Sequence, residues 1–277
     1  MNRYVKLVNF EFNRVVKIFA VLLAITLISQ IIGVIVRAKS YVNEANRAIY
    51  QDKIPKADFI LQHGYMSFKQ VITSVWFLGP IALCIAAVAF YIFLIWYRDW
   101  FGKNTFIYRL LMLPTARLNV FLAKITTILT MTLGFVAFQL IIFPLEVTIL
   151  KWMVPKEFRI DMGISQLVGS LRELQILFPL SFFEFVLYYG AGLIVVSILF
   201  TVILFERSYR LKGIGMGIVY CLVALAVFLS PVLILDFLSI DCFYPIERLA
   251  FKIVAGLIVL IGSIWTSKFL LTKKITV

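Results

Sequence analysis

The chain has 277 residues, of which 62% are hydrophobic and 15% are charged, and its mean hydropathy is +1.00. Soluble domains are about half apolar and about a quarter charged, so this composition excludes an ordinary soluble enzyme and indicates a polytopic membrane protein. The formal net charge is +13, but no long basic tract stands apart from the apolar runs. We therefore expect the basic residues to lie in cytoplasmic loops and to contact lipid headgroups, and we expect no nucleic-acid partner.

The first 17 residues, MNRYVKLVNFEFNRVVK, combine apolar and basic positions. At helical spacing, one face of this segment is apolar and another is polar. The apolar face consists of Val5, Val8, Phe12, Val15 and Phe19, and the polar face consists of Arg3, Lys6, Asn13 and Lys17. This pattern predicts an amphipathic helix over residues 1–17 that lies along the inner leaflet before the first span. The alternative is a basic flank that only orients the first span.

Six apolar runs approach the roughly twenty residues that are needed to cross a bilayer core. They are Ile18–Val36, Val71–Tyr97, Ile125–Ile149, Phe185–Phe205, Gly213–Leu235 and Leu249–Ser267. These runs predict an all-α membrane protein with six transmembrane helices, organised as a single transmembrane domain over residues 1–277. The loops at 37–70 and 150–175 are too short for a catalytic domain, although a short helix from Ile164 to Leu174 is expected in the second.

The basic residues predict the orientation. With the amino terminus inside, the inner segments hold 15 Lys and Arg residues, and the longer outer loops hold 12. Because basic residues concentrate on cytoplasmic segments, both termini are expected in the cytoplasm.

A basic segment interrupts the chain between the second and third apolar runs. Residues 97–125 read YRDWFGKNTFIYRLLMLPTARLNVFLAKI, with five basic residues and one acid. Asn104 or Thr105 can cap a short helix that Pro114 ends. Its apolar side would consist of Ile107, Leu110, Leu111 and Leu113. A loop that only joined two spans could be shorter and more polar, so we interpret this one as a docking element.

LLMLPTAR followed by Lys124 resembles the first cytoplasmic loop of ABC transporter permeases of the second export class. The matching residues are Leu110, Leu111, Pro114, Arg117 and Lys124, with Thr105 upstream. Six spans, a basic amphipathic amino-terminal helix and a short basic tail are also similar to that family. The likeness covers the whole chain in architecture and about twenty residues in motif.

The resemblance implies a cytoplasmic coupling helix within residues 98–124 that sits in a groove of a separate cytosolic ATPase. The residues it assigns to this contact are Thr105, Tyr108, Arg109, Leu110, Leu111, Leu113, Pro114 and Arg117. It also implies two ATPase subunits, a second permease copy or a homologous permease, and a bacterial plasma membrane. The chain has no GxxxxGK[ST] motif, so we expect it to bind no cofactor and to leave ATP and Mg²⁺ to the partner. Gly213–Gly217, GIGMG, instead opens an apolar run and favours close helix packing.

Three acidic residues fall in or beside the spans: Glu146, Glu184 and Asp236. Charges in a bilayer are costly, so these acids could line a path for a cationic or amphipathic substrate. They could equally mark span ends, paired with Lys151, Arg172 or Arg248. Thr127, Thr130 and Gln139 of the third run fit either close helix packing or substrate contact. Three cysteines (Cys84, Cys221, Cys242) and one histidine (His63) predict no metal site.

These observations favour the membrane subunit of an ATP-driven exporter that forms half of a translocation path. An amphipathic compound such as an antimicrobial peptide is the cargo that we expect. The alternative is an ion-coupled carrier or a membrane-embedded enzyme that uses Glu146, Glu184 and Asp236. Against the enzyme, the chain has no HExxH and no GxSxG motif. A sensory or assembly subunit that transports nothing is a third reading.

Overall fold

The computed structural model describes residues 3–101, 106–237 and 245–275. Six long helices dominate it: α1 (Arg3–Asn46), α4 (Val75–Phe101), α6 (Leu118–Met153), α9 (Phe182–Tyr209), α10 (Leu211–Phe237) and α11 (Pro245–Phe269). Five short helices lie between them: α2 (Lys56–His63), α3 (Phe68–Ile72), α5 (Phe106–Leu111), α7 (Ile164–Gly169) and α8 (Arg172–Leu177). The strands β1 (Met66–Ser67) and β2 (Arg159–Ile160) pair in parallel. A π-helical turn, Leu270–Lys274, follows α11.

Each of the six long helices is long and apolar enough to cross a membrane, with a mean hydropathy of 2.1 to 2.7 over its most apolar part. Each of them overlaps one of the six predicted runs. The prediction of a multi-pass, all-α membrane protein with six spans is therefore confirmed.

The amino-terminal segment is helical, as predicted, but it is not a separate helix. Residues 3–17 form the first four turns of α1, which continues without a break for 44 residues. No glycine or proline stands between Arg3 and Ile18, so nothing in the sequence ends a helix there. The helix also runs ten residues past the predicted end of the first span at Val36. Ala38, Tyr41 and Ala45 recur at helical spacing on its buried side and explain this extension.

Contacts divide the chain into two compact units. The first unit comprises the described residues of 1–14, 89–130 and 181–277, and the second comprises 15–88 and 131–180. Three helices, α1, α4 and α6, contribute residues to both units, whereas α9, α10 and α11 belong wholly to the first.

The second unit is built around an apolar core that includes the loop segments. Phe68, Phe77 and Phe143 meet edge to face at centroid distances of 5.3 to 6.3 Å, an arrangement that aromatic rings favour. Phe59 of α2 is fully buried and packs against Tyr41 and His63. The helix predicted from Ile164 to Leu174 begins at Ile164 but stops at Gly169, and α8 starts separately at Arg172.

One exposed ion pair joins the two loops of this unit and makes them sensitive to pH. Lys56 Nζ lies 2.8 Å from Glu157 Oε2. The hydrogen bond from Lys56 lowers the pKa of the Glu157 carboxyl, and Glu157 in turn raises the pKa of Lys56. The pair therefore contributes fully at neutral pH. Its contribution is lost as pH falls through the lowered pKa of Glu157, and again as pH rises through the raised pKa of Lys56.

We expect Lys56→Gln to return the pKa of Glu157 towards the ordinary carboxyl value of about 4.3, with little change in stability because the pair is exposed. Carboxyl-carbon NMR titration of the purified protein measures this shift. An unchanged Glu157 titration in the variant would contradict the contact.

In the first unit, α9 and α10 form a helical hairpin with a single linking residue. Arg210 adopts a positive φ of 54°, which is unusual for a residue with a side chain. Because the reversal is so short, the two helices touch immediately: a Cβ at Gly213 would overlap the carbonyl oxygen of Phe205. A Cβ at Gly217 would lie 2.9 Å from Val202 Cγ1. The predicted role of these two glycines in close helix packing is confirmed.

A buried network of hydroxyl groups ties α11 to the other two helices of this bundle. Thr201 Oγ1 lies 3.0 Å from Ser267 Oγ, and Tyr220 Oη lies 2.9 Å from Ser263 Oγ. Thr201, Ser263 and Ser267 are fully buried. Interhelical hydrogen bonds of this kind hold spans together without introducing a charge.

Candidate functional site

Five charged side chains from three helices meet in the first unit. They are Glu11 and Arg14 of α1, Arg98 and Asp99 of α4, and Lys124 of α6, and we call them the charge cluster. Lys124 and Asp99 are completely buried, and Glu11 is 2% exposed. Burial of this degree is rare for charged residues unless they are paired. Here Asp99 is paired with Arg14 and Lys124, and Glu11 is paired with all three cations.

Lys124 lies at the centre of the charge cluster. Its ammonium group donates to Glu11 Oε1 at 2.9 Å, to Asp99 Oδ2, and to the backbone oxygen of Ile95 at 2.8 Å. It also lies 5.1 Å from the ring centroid of Trp96, within the range of a cation–π interaction. All three of its N–H donors are therefore satisfied, as a buried ammonium requires.

The two arginines close the cluster at its more open side. Arg14 donates to Asp99 Oδ1 at 2.8 Å, and Arg98 donates to Glu11 Oε2 at 3.2 Å. Their side chains are 24% and 26% exposed, so the excess positive charge lies where water or lipid headgroups can reach it. The result is a rigid link at one point of α1, α4 and α6, because moving any one helix would separate buried charges.

The predicted docking loop follows α4 and leads into α6, next to the charge cluster. Leu110 of α5 packs with Leu7 of α1 and with Val120 and Ala123 of α6, so the loop adheres to the same three-helix region. Phe106 packs against this group as well. The predicted helix exists, but it ends at Leu111, three residues before Pro114. Leu113 therefore lies beyond the helix and is 40% exposed, so the prediction that it shares the apolar side of the helix with Ile107 and Leu110 is wrong.

The structure divides the residues that were predicted to contact a partner into two groups. Leu110 and Leu111 are buried within this chain, and Tyr108 is half-buried with its ring 6.2 Å from that of Trp100. Arg109, Leu113 and Pro114 are exposed. Met112, which the sequence did not single out, is 69% exposed between them. Thr105 lies outside the described residues.

Arg117 is engaged within the chain. Its Nη1 donates to the backbone oxygens of Leu271 at 2.7 Å and of Ile275 at 2.9 Å. Carbonyl groups at the end of a helix lack intrahelical donors, so a guanidinium there satisfies acceptors that would otherwise be unpaired. The role of Arg117 in this structure is to hold the carboxy-terminal turn against the start of α6.

We expect Arg117→Gln to destabilise the protein by about 1–3 kcal/mol, the typical cost of losing a hydrogen bond to a charged donor. Faster amide hydrogen exchange over residues 270–275 should accompany the loss, and mass spectrometry measures it. Arg109→Gln, a substitution of an exposed arginine in the same loop, is the matched control. Equal exchange in the two variants would show that Arg117 does not hold this turn.

The three acids predicted in the spans have different surroundings. Glu146 of α6 is fully buried, and neither carboxylate oxygen has a hydrogen-bond partner among the described residues. The alternative in which Glu146 pairs with Lys151 is wrong, since Lys151 lies 3.7 Å from Asp161 instead. Glu184 is exposed in the first turn of α9. Asp236 falls in the last turn of α10, and its side chain lies outside the part of the chain that the structure describes.

The three polar residues predicted on the third span also differ in their burial and hydrogen bonding. Thr127 is buried and donates to the backbone oxygen of Ala123 at 2.9 Å, a local bond that fits packing. Thr130 is exposed and bonds in the same way to Thr126. Gln139 is buried and accepts a hydrogen bond of 3.0 Å from Gln30 of α1. Over residues 3–101, 106–237 and 245–275, no three acidic, cysteine or histidine side chains group closely enough to hold a metal ion.

Sequence reasoning identified Lys124 but missed its two acidic partners. Glu11 and Asp99 lie 113 and 25 residues from Lys124 in the sequence, so no local pattern pairs them with it. The available signal was their position, since each adjoins an apolar run where an acid needs a partner.

Comparison with family models, with curated proteins and with solved structures finds no match to this chain. The function of this chain is therefore inferred from the geometry of the charge cluster and of the loop beside it.

Proposed function

We propose that this chain is the membrane subunit of an ATP-driven exporter and that residues 106–117 are its contact with a separate ATPase. The observation that supports the proposal is the charge cluster, which fixes α1, α4 and α6 to one another directly beside that loop. A force applied to α5 would pass to three spans at once, since Leu110 packs on α1 and α6 and Lys124 joins both to α4.

In this proposal the motion reaches further spans through packed rings. Phe200 of α9 lies edge to face against Trp96 of α4 at 5.6 Å and against Phe121 of α6 at 5.9 Å. The chain would supply half of the translocation path and a second permease the other half. Two ATPase subunits would bind ATP and Mg²⁺, and this chain would have no catalytic site of its own. Both termini and the loop would be cytoplasmic, at a bacterial plasma membrane.

The exposed part of the loop is the surface that a partner would touch. A double substitution, Arg109→Glu with Leu113→Ser, changes this surface without touching buried Leu110. We expect at least about a tenfold loss of co-purified nucleotide-hydrolysing partner in mild detergent, because interface hot spots contribute more than about 1.4 kcal/mol each.

The control is Arg172→Glu, the same reversal of charge at an exposed residue of α8. It should leave both the thermal stability and the recovery of the partner unchanged. Labelling of Arg109→Cys with an impermeant maleimide, in a chain whose own cysteines are replaced, tests the side of the membrane. Reaction from the extracytoplasmic side, or no ATPase recovered with the unaltered chain, would contradict the proposal.

One observation favours a second candidate, an ion-coupled carrier. A buried carboxyl without a partner, as at Glu146, is a feature of intramembrane residues that bind protons or ions. Transport by the purified chain in vesicles without any ATPase, abolished by Glu146→Gln, would favour the carrier over the exporter.

A further inference from the structure

The second unit contains a cavity of about 160 Å³ between helices α1, α4, α6 and α8. Its walls are mostly apolar, with Ile81, Phe135 and Phe178 among them. Three side chains with hydroxyl or amide groups, Thr26, Thr132 and Gln139, also line the cavity. A few fixed polar groups in an apolar cavity are typical of sites that bind small organic molecules.

The amide groups beside this cavity are incompletely paired. Gln30 Nε2 donates to Gln139 Oε1, which leaves Gln30 Oε1 and Gln139 Nε2 buried without a hydrogen-bond partner over the described residues. Buried polar atoms are rarely left in this state, because an unmade bond costs the full desolvation of the group. Of the two amides only that of Gln139 lines the cavity, and its Nε2 is therefore available to an incoming ligand.

Glu146 lies on the same face of α6 as Gln139. Seven residues separate them, which is two helical turns or a rise of about 10 Å. The carboxyl group of Glu146 is fully buried and has no bonding partner within the ranges that the structure describes. Burying a carboxylate alone is costly, and a cation that reached it would replace that arrangement by an ion pair.

We propose that this cavity, with Gln139 and Glu146, binds a cationic amphiphile. The apolar part of the molecule occupies the space lined by Ile81, Phe135 and Phe178, and its positive group lies towards Glu146. The carboxyl group of Glu146 selects a ligand with a positive charge, and the apolar wall of the cavity selects a ligand with a hydrophobic part. As a description of cargo the inference rests on the proposed transport function, but binding to the chain alone is independent of any ATPase.

The test uses a series of phenylalkyl-trimethylammonium ions and the purified full-length chain in lipid nanodiscs, with empty nanodiscs as the background. Each ion has a neutral counterpart of the same shape, in which a tert-butyl group replaces the trimethylammonium group. Affinity should peak at a linker of about four to six carbons, which spans the rise of about 10 Å between Gln139 and Glu146. The neutral counterparts should show no such peak.

Glu146→Gln should weaken binding of the best ion by at least about tenfold and leave its neutral counterpart within about twofold, since only the charged contact is lost. The matched control, Glu184→Gln, removes an exposed carboxyl and should change neither affinity. Glu146→Asp, which keeps the charge, should retain most of the preference for the ion. Thermal melting of each variant shows whether it is folded, and the neutral counterpart reports whether the cavity is intact.

Equal affinity for an ion and its neutral counterpart in the unaltered chain would overturn the inference, as would unchanged ion binding in Glu146→Gln. Either result would leave the exporter proposal untouched, because that proposal is tested by whether an ATPase co-purifies through residues 106–117. Conversely, ion binding without any ATPase partner would support the inference while the exporter proposal failed.

Discussion

Replacing Lys124 by methionine is expected to lower the free energy of unfolding by about 3–5 kcal/mol, the range measured when one partner of a buried ion pair is removed. Methionine has a similar length and no charge, so the space remains filled. Glu11 and Asp99 would stay buried at 2% and 0% exposure and would lose the ammonium group that both of them contact. Thermal unfolding in detergent, followed by the fraction that remains monodisperse, measures the effect.

Two further variants separate the loss of the ion pairs from the loss of a lysine. Lys212→Met removes an exposed lysine and should leave stability within about 0.5 kcal/mol of the unaltered chain. Adding Glu11→Gln and Asp99→Asn to Lys124→Met should recover part of the loss, because the unpaired buried charges are then gone. Arg14 and Arg98 can turn to solvent in this triple variant, since each is about a quarter exposed. Equal stability of Lys124→Met and Lys212→Met would show that the charge cluster does not hold the fold.

Gly213→Ala is expected to cost about 1–3 kcal/mol or more, the penalty for overpacking a well-packed site. Its Cβ would overlap the carbonyl oxygen of Phe205, and a backbone atom cannot move away by changing rotamer. The hairpin between α9 and α10 has only Arg210 as its link, so the two helices have little freedom to separate. Thermal unfolding of the purified chain measures the loss.

Gly215, two residues further along α10, provides the matched control. A Cβ there meets nothing within 4 Å. Gly215→Ala should therefore be neutral, or stabilise the helix by up to about 1 kcal/mol, because alanine has the higher helix propensity. The same substitution at two nearby glycines thus has opposite expected signs. Similar unfolding temperatures for the two variants would contradict the close approach of α9 and α10.

The sequence was sufficient to predict the spans because hydropathy is a local property. A run of about twenty apolar residues has one stable solution in a bilayer, and that solution does not depend on where the neighbouring helices lie. Helix ends were harder to predict. Hydropathy predicts that the first span ends at Val36, but α1 extends to Asn46 because Ala38, Tyr41 and Ala45 belong to the apolar core of the second unit.

The charge cluster could not be predicted, because it depends on which faces of three helices meet. Lys124 was recognised from its place in a motif, whereas its pairing with Glu11 and Asp99 follows from tertiary packing. The loop was misjudged for a related reason. The sequence predicts that Pro114 ends the short helix, but the helix stops at Leu111, so Leu113 lies beyond the helix and does not share the apolar side of Leu110. The sequence predicts that Glu146 either is paired at a span end or lines a path, whereas the packing of the second unit buries it with no hydrogen-bond partner among the residues that the structure describes.

The order in which the charge cluster is synthesised has a consequence for biogenesis. Glu11 leaves the ribosome with α1 and Asp99 leaves it with α4, whereas Lys124 follows only with α6. A nascent chain that stops after α4 therefore holds both acids before Lys124, the buried cation between them, has been made, and we expect cellular quality control to degrade it. Chains that include the whole of α6 should have a longer lifetime, and pulse–chase of chains truncated after α4 and after α6 would measure the difference.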